Sequence, residues 1–147
     1  MKQILLSMLL AMGIVTAAKA QCNETLQLSS AKTNFLNASY QSQRSRDEKI
    51  VIDITTATIT ITPNGNAADA MTGKVKEVQC EWKVPFREGK TVIKTDLVDK
   101  SGDVKDATIT IEGKKGKITL LAEAKERPDQ KMQLEVNRFE PKAESKQ

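Results

Sequence analysis

No histidine occurs in the 147 residues, and that absence excludes more chemistry than any other feature of the chain. Histidine is the one side chain that titrates near neutrality unperturbed, so Ser-His and Cys-His nucleophile pairs and histidine-ligated metal centres are ruled out. Aromatic residues make up 3% of the sequence, too few for the stacking platforms on which sugar-binding and single-strand nucleic-acid surfaces rely. The two cysteines, Cys22 and Cys80, are far apart in the sequence, so there is no CxxC spacing and no thiol-rich metal motif. Seven glycines and four prolines exclude a collagen-like or low-complexity chain. No GxSxG, P-loop or GxGxxG motif is found.

The one long apolar run lies at the start. Residues 1–20 read MKQILLSMLLAMGIVTAAKA: one lysine, an apolar stretch from Ile4 to Val15, and small residues ending in Ala18-Lys19-Ala20. That is the layout of a secretory signal peptide cleaved after Ala20, and the stretch is too short for the roughly 20 residues of a membrane span. The leader carries two of the 23 basic residues and none of the 19 acidic ones, so the chain from Gln21 onward is close to neutral. A nearly neutral chain with scattered lysines predicts no nucleic-acid partner. Export places the chain outside the cytoplasm, periplasmic or secreted, with no transmembrane segment in its mature part.

In an oxidising compartment two surviving cysteines predict a Cys22–Cys80 disulfide. Asn23-Glu24-Thr25 and Asn37-Ala38-Ser39 are glycosylation sequons, meaningful only in a eukaryotic host. Which kingdom the chain comes from stays open.

From residue 46 onward apolar and polar residues alternate between turn signals, as in half-buried strands. Ile50, Ile52 and Ile54 share one face and Ile59 and Ile61 another, with opposite parity, so a tight turn or bulge is expected at Thr55 to Ala57. Val78, Cys80, Trp82 and Val84 alternate with Val75 out of phase, which predicts a bulge in that strand. Further turns fall at Pro63 to Asn66, Glu88-Gly89, Ser101-Gly102, Gly113 to Gly116 and Pro128-Asp129. Residues 25–40 are compatible with strand or helix, and a strand around Ala31 to Ala38 is favoured, followed by a polar loop through Gln41 to Arg44. Residues 140–147 are charged and read as a frayed tail. The motif Ala57-Thr58-Ile59-Thr60-Ile61 returns as Ala107-Thr108-Ile109-Thr110-Ile111, as a duplicated half would produce or as strand composition alone would.

The predicted fold is therefore all-β: a single domain over residues 21–139, an antiparallel meander of about eight strands closed or nearly closed into a small barrel. A two-sheet β-sandwich is the alternative. In outline the barrel is similar to the calycins, the lipocalins and fatty-acid-binding proteins, as an architecture only, since no GxW opening is present.

Candidate chemistry is sparse. Asp99-x-Ser101-x-Asp103 gathers oxygen donors, but the sixth and twelfth positions of a calcium loop fall on Val104 and Thr110, and a solvated hairpin end accounts for the cluster. Glu77, Glu81 and Glu123 read as wet strand faces. Arg138 stands in phase with Leu134 and Val136 at the end of the last strand. No catalytic residue, metal or cofactor is expected. Trp82 reads as a core residue, or as a ligand-facing indole at a barrel mouth. The expected function is non-enzymatic binding of a small apolar or amphipathic ligand inside the barrel; the alternative is a protein–protein interaction or inhibitor-type module.

Overall fold

A computed structural model describes residues 21–143, so the expected leader and the last four residues of the tail lie outside the described residues. The chain forms eight strands: β1 (Leu26–Leu36), β2 (Ser42–Ile54), β3 (Thr58–Pro63), β4 (Met71–Val84), β5 (Glu88–Val98), β6 (Val104–Lys114), β7 (Lys117–Ala124) and β8 (Lys131–Pro141). Each pairs antiparallel with the next, and β8 returns to β1, so the meander closes into a barrel. The barrel, not the sandwich, is the fold.

Local chemistry explains the turns and phase changes. Thr55 Oγ1 accepts from the backbone N–H of Ala57 and Thr58, building the tight turn that reverses the isoleucine parity between β2 and β3. In β4 the register with β5 shifts between Val75 and Glu77, so Lys76 is the extra residue that puts Val75 and Val78 out of step.

The N-terminal stretch is a strand throughout, starting at Leu26 rather than at Ala31. Its alternation is obscured because the register with β8 shifts between Ser30 and Thr33, where β1 carries the extra residue, and the buried set jumps from Leu26, Leu28 and Ser30 to Thr33. The stretch expected to be a polar loop is mostly strand, since β2 begins at Ser42. At the other terminus β8 runs to Pro141, two residues into the expected tail, held by pairing of Leu26 with Pro141 and Gln27 with Glu140. Arg138 is not inward. A register shift against β1 at Asn137 moves Arg138 to the outside, paired with Glu140 at 2.8 Å, and turns Phe139 to the core. The Thr-Ile echo falls on β3 and β6, which run in opposite directions in a meander, whereas a repeated four-strand half would match β3 with β7.

Inward positions fill the interior. Leu28, Ile50, Ile52, Ile59, Ile93, Ile109, Ile111, Leu120 and Leu134 form the waist, each with at most 2% of its surface exposed. A side chain bordering a void wide enough for water would present surface to it, and Ile59, Ile109 and Ile111 present none. Eight strands give an interior just wide enough for such side chains to fill. The outer face is threaded with ion pairs, among them Lys76 with Asp96 and Asp106, Lys125 with Asp106, and Lys90 and Lys114 with Glu112. Among the described residues no helix is long and apolar enough to cross a membrane.

Candidate functional site: the two ends of the barrel

The meander puts the start of β1, the β2–β3, β4–β5 and β6–β7 turns and the end of β8 at one end of the cylinder. The β1–β2, β3–β4, β5–β6 and β7–β8 connections lie at the other. Because β3 has six residues against 13 and 14 in its neighbours, β2 and β4 overhang it in opposite directions. β3 pairs with β4 only as far as Lys74, and Val75 N donates to Ala57 O. From Lys76 to Val84, β4 has a strand partner among the described residues on its β5 side alone. Its outer half is an open edge that carries exposed Glu77, Val78, Gln79, Glu81 and Lys83.

The first end is plugged by aromatic rings and by the segment Gln21–Asn23. Trp82 is 5% exposed, and its indole N–H donates to Thr91 Oγ1 at 2.8 Å. Its ring rests over Gly89 and Gly113, which face each other across β5 and β6. A Cβ at Gly89 would fall 2.7 Å from Trp82 Cδ2, and one at Gly113 would fall 2.8 Å from Trp82 Cζ3. Two residues without side chains thus make the seat for the largest one. Phe139 meets Trp82 edge-on at 5.7 Å, and Phe86 meets Phe139 at 4.8 Å.

The short 3-10 helix Gln21–Asn23 closes this end from outside. Cys22 is bonded to Cys80, as the cysteine count predicts, and Gln21 Oε1 accepts from Phe86 N at 2.9 Å. Beside the bridge an open cleft of about 650 Å³ is lined by Cys22, Cys80, Glu81, Trp82, Lys83 and Gly89. Trp82 therefore serves the core with most of its surface and borders this cleft with one edge.

The opposite end is polar. An open cleft of about 380 Å³ lies between the β2 overhang and two loops, lined by Arg46, Glu48, Asn64, Asp69, Met71 and Lys100. Arg44 and Arg46 stack over Phe35 with their guanidinium carbons 4.3 and 5.6 Å from the ring centre. Lys100 reaches Asp69 at 2.8 Å, and the hydrogen bond from Lys100 holds the Asp69 carboxyl below its ordinary value. On the outer wall Lys131 pairs with Glu123 at 2.7 Å and lies 4.4 Å from the Tyr40 ring centre, and the Glu123 contact raises its pKa.

The hairpin-end aspartates are occupied by the turn. Asp99 Oδ1 accepts from Ser101 N and Asp103 N, and Oδ2 meets Lys105 at 3.3 Å. Burial opposes ionisation there, but these contacts together keep the carboxyl below its usual range. Among the described residues no cluster of three or more acidic or cysteine side chains is placed to hold a metal ion. Of the sequons, Asn23 is exposed, while Asn37 Oδ1 accepts from Ser39 N and Gln41 N, capping the β1–β2 turn.

Sequence reasoning brought together Cys22, Cys80 and Trp82, and the structure puts all three at one end. It missed Gln21, Phe86, Phe139 and the two glycines. Gly89 and Gly113 read as turn residues, and nothing local shows that they face each other.

The fold class is thus defined: a closed, eight-stranded antiparallel meander barrel. Compared with known protein families, with characterised proteins and with solved structures, the chain matches none.

Proposed function

We propose that this protein is an extracytoplasmic, non-enzymatic interaction module that engages an extended polypeptide segment from outside, along the open edge of β4. The observation that carries this reading is the waist: Ile59, Ile109 and Ile111 are wholly buried, so a ligand lodged inside the barrel would have to displace the chain's own side chains. The edge from Lys76 to Val84 supplies what the interior lacks. An edge that no second strand covers among the described residues suits strand addition, and the alternating Glu77, Gln79, Glu81 and Lys83 provide side-chain discrimination. The disulfide supports the location, since such bonds persist outside the cytoplasm.

The absence of catalysis belongs to the same reading. A general base needs a pKa moved toward neutrality. The shifts here run the other way: hydrogen bonds from Lys94, Lys125 and Lys114 lower Glu77, Asp106 and Glu112, and Asp96 and Asp69 raise Lys76 and Lys100.

A photoreactive residue at Gln79, compared with one at Thr110 on the doubly paired β6, tests the proposal in the protein's own host. Cross-links to a polypeptide at Gln79 and none at Thr110 are expected. A small molecule that co-purifies in equimolar amount, with no cross-link at Gln79, would return the reading to a ligand-carrying barrel.

A further inference from the structure

We infer that Gln21 is a modification site: once leader cleavage after Ala20 makes it the N-terminal residue, it closes to pyroglutamate, and the lactam is the finished plug of the disulfide end. The inference rests on the leader reading and on one anomaly of the structure. Gln21 is 2% exposed, unusual for a glutamine, and its two amide atoms fare differently. Oε1 accepts from Phe86 N at 2.9 Å. Nε2 is buried and is the single buried side-chain nitrogen or oxygen among the described residues that has no hydrogen-bond partner. Buried polar groups are ordinarily satisfied, and an exception calls for a cause.

Cyclisation removes the anomalous atom and keeps the useful one. The α-amino nitrogen attacks the side-chain Cδ, and a five-membered ring forms through Cα, Cβ and Cγ. The new N–Cδ bond replaces the Cδ–Nε2 bond, Nε2 leaves as ammonia with the amine's proton, and Oε1 remains as the lactam carbonyl oxygen, still able to accept from Phe86 N. No oxidant, reductant or cofactor is involved. The step also abolishes the α-ammonium charge that cleavage creates, at a residue otherwise buried against the barrel end, where an unpaired charge is costly. Nor can Gln21 easily swing into water. The next residue, Cys22, is bonded to Cys80, which leaves one residue of tether. Glutamine is the amide that fits this chemistry, because asparagine would have to close a four-membered ring.

The test is the N-terminal peptide and intact mass of the full chain exported from its own host. A peptide beginning at residue 21, lighter by one ammonia than the encoded sequence and refractory to amine-directed sequencing until treated with pyroglutamyl peptidase, is the expected result. Gln21→Asn, exported with the same leader, should begin at residue 21 without the loss of ammonia. Freshly cleaved and cyclised wild-type forms, separable by the lost positive charge, should differ in thermal midpoint, the cyclised form unfolding higher. A peptide that begins at residue 21 with an intact amide and a free amine overturns the inference and leaves the leader reading standing. One that begins elsewhere overturns both. A cyclised form no more stable than the open one refutes the structural role.

Discussion

Replacing Gly113 by alanine adds one methyl group, and the structure says where it must go. The new Cβ would lie 2.8 Å from each of three atoms: the backbone oxygen of Arg87, Ile118 Cδ1 and Trp82 Cζ3. Real carbon contacts are nearer 3.5 to 4.0 Å. Ile118 can change rotamer, but Arg87 O is main chain and Trp82 is held by Thr91 and by the ring of Phe139. Relief therefore requires the indole to tilt off its seat or the β4–β5 turn to shift. Overpacking of this kind costs about 1–3 kcal/mol, and at roughly 4 °C per kcal/mol for a domain of this size the melting temperature should fall by ~4–12 °C. Thermal unfolding followed by near-UV circular dichroism and by the fluorescence of the single tryptophan reads both consequences, because a displaced indole changes its signal before unfolding. A Gly113→Ala variant with an unchanged midpoint and unchanged tryptophan spectrum would refute the seat.

Other perturbations follow from the same geometry. Removing the bridge with Cys22→Ala and Cys80→Ala together opens a loop of 58 residues and should cost about 4 kcal/mol on the chain-entropy model, read as a lower urea midpoint that matches the reduced wild type. Thr91→Val keeps the shape and deletes the acceptor of the indole N–H, so a loss of about 1–3 kcal/mol and a shifted tryptophan emission are expected in chemical unfolding; identical midpoints would contradict the assigned hydrogen bond. Acid should destabilise: Asp69, Glu77, Asp106 and Glu112 are held low by lysine partners, so the stability they add is present above the ordinary carboxylate range and is lost as pH falls through their folded values. These pairs are largely exposed, so the effect should be modest and should shrink in high salt, and an acid limb of the stability curve independent of salt would count against them.

Much of the barrel was legible because its strands alternate cleanly and its turns carry glycine, proline and asparagine. Parity alone located the Thr55 turn and called for a bulge in β4, which the register places at Lys76. Bulges also caused the misreadings. One extra residue near Ala31 disguised β1, and another at Asn137 placed Arg138 on the wrong face and left Phe139 unrecognised. Closure was not separable from a sandwich in the sequence, because it depends on pairing between β1 and β8, the two most distant strands. The candidate site was readable only in its covalent part, where the cysteine count left one pairing. The glycine seat under Trp82 depends on the register of Gly89 with Gly113, which no local pattern encodes. Gln21 had one visible signal, its place immediately after the expected cleavage point, but its meaning comes from the burial of its amide.

The central claim is that the barrel is filled by its own side chains and works from its outer surface. Native mass spectrometry of the protein purified without denaturation from its own host tests it most directly. The account predicts a polypeptide that carries no small molecule in its interior, alone or in complex with a second polypeptide. A stoichiometric small ligand that stays bound under gentle conditions and is released only when the barrel unfolds would contradict it.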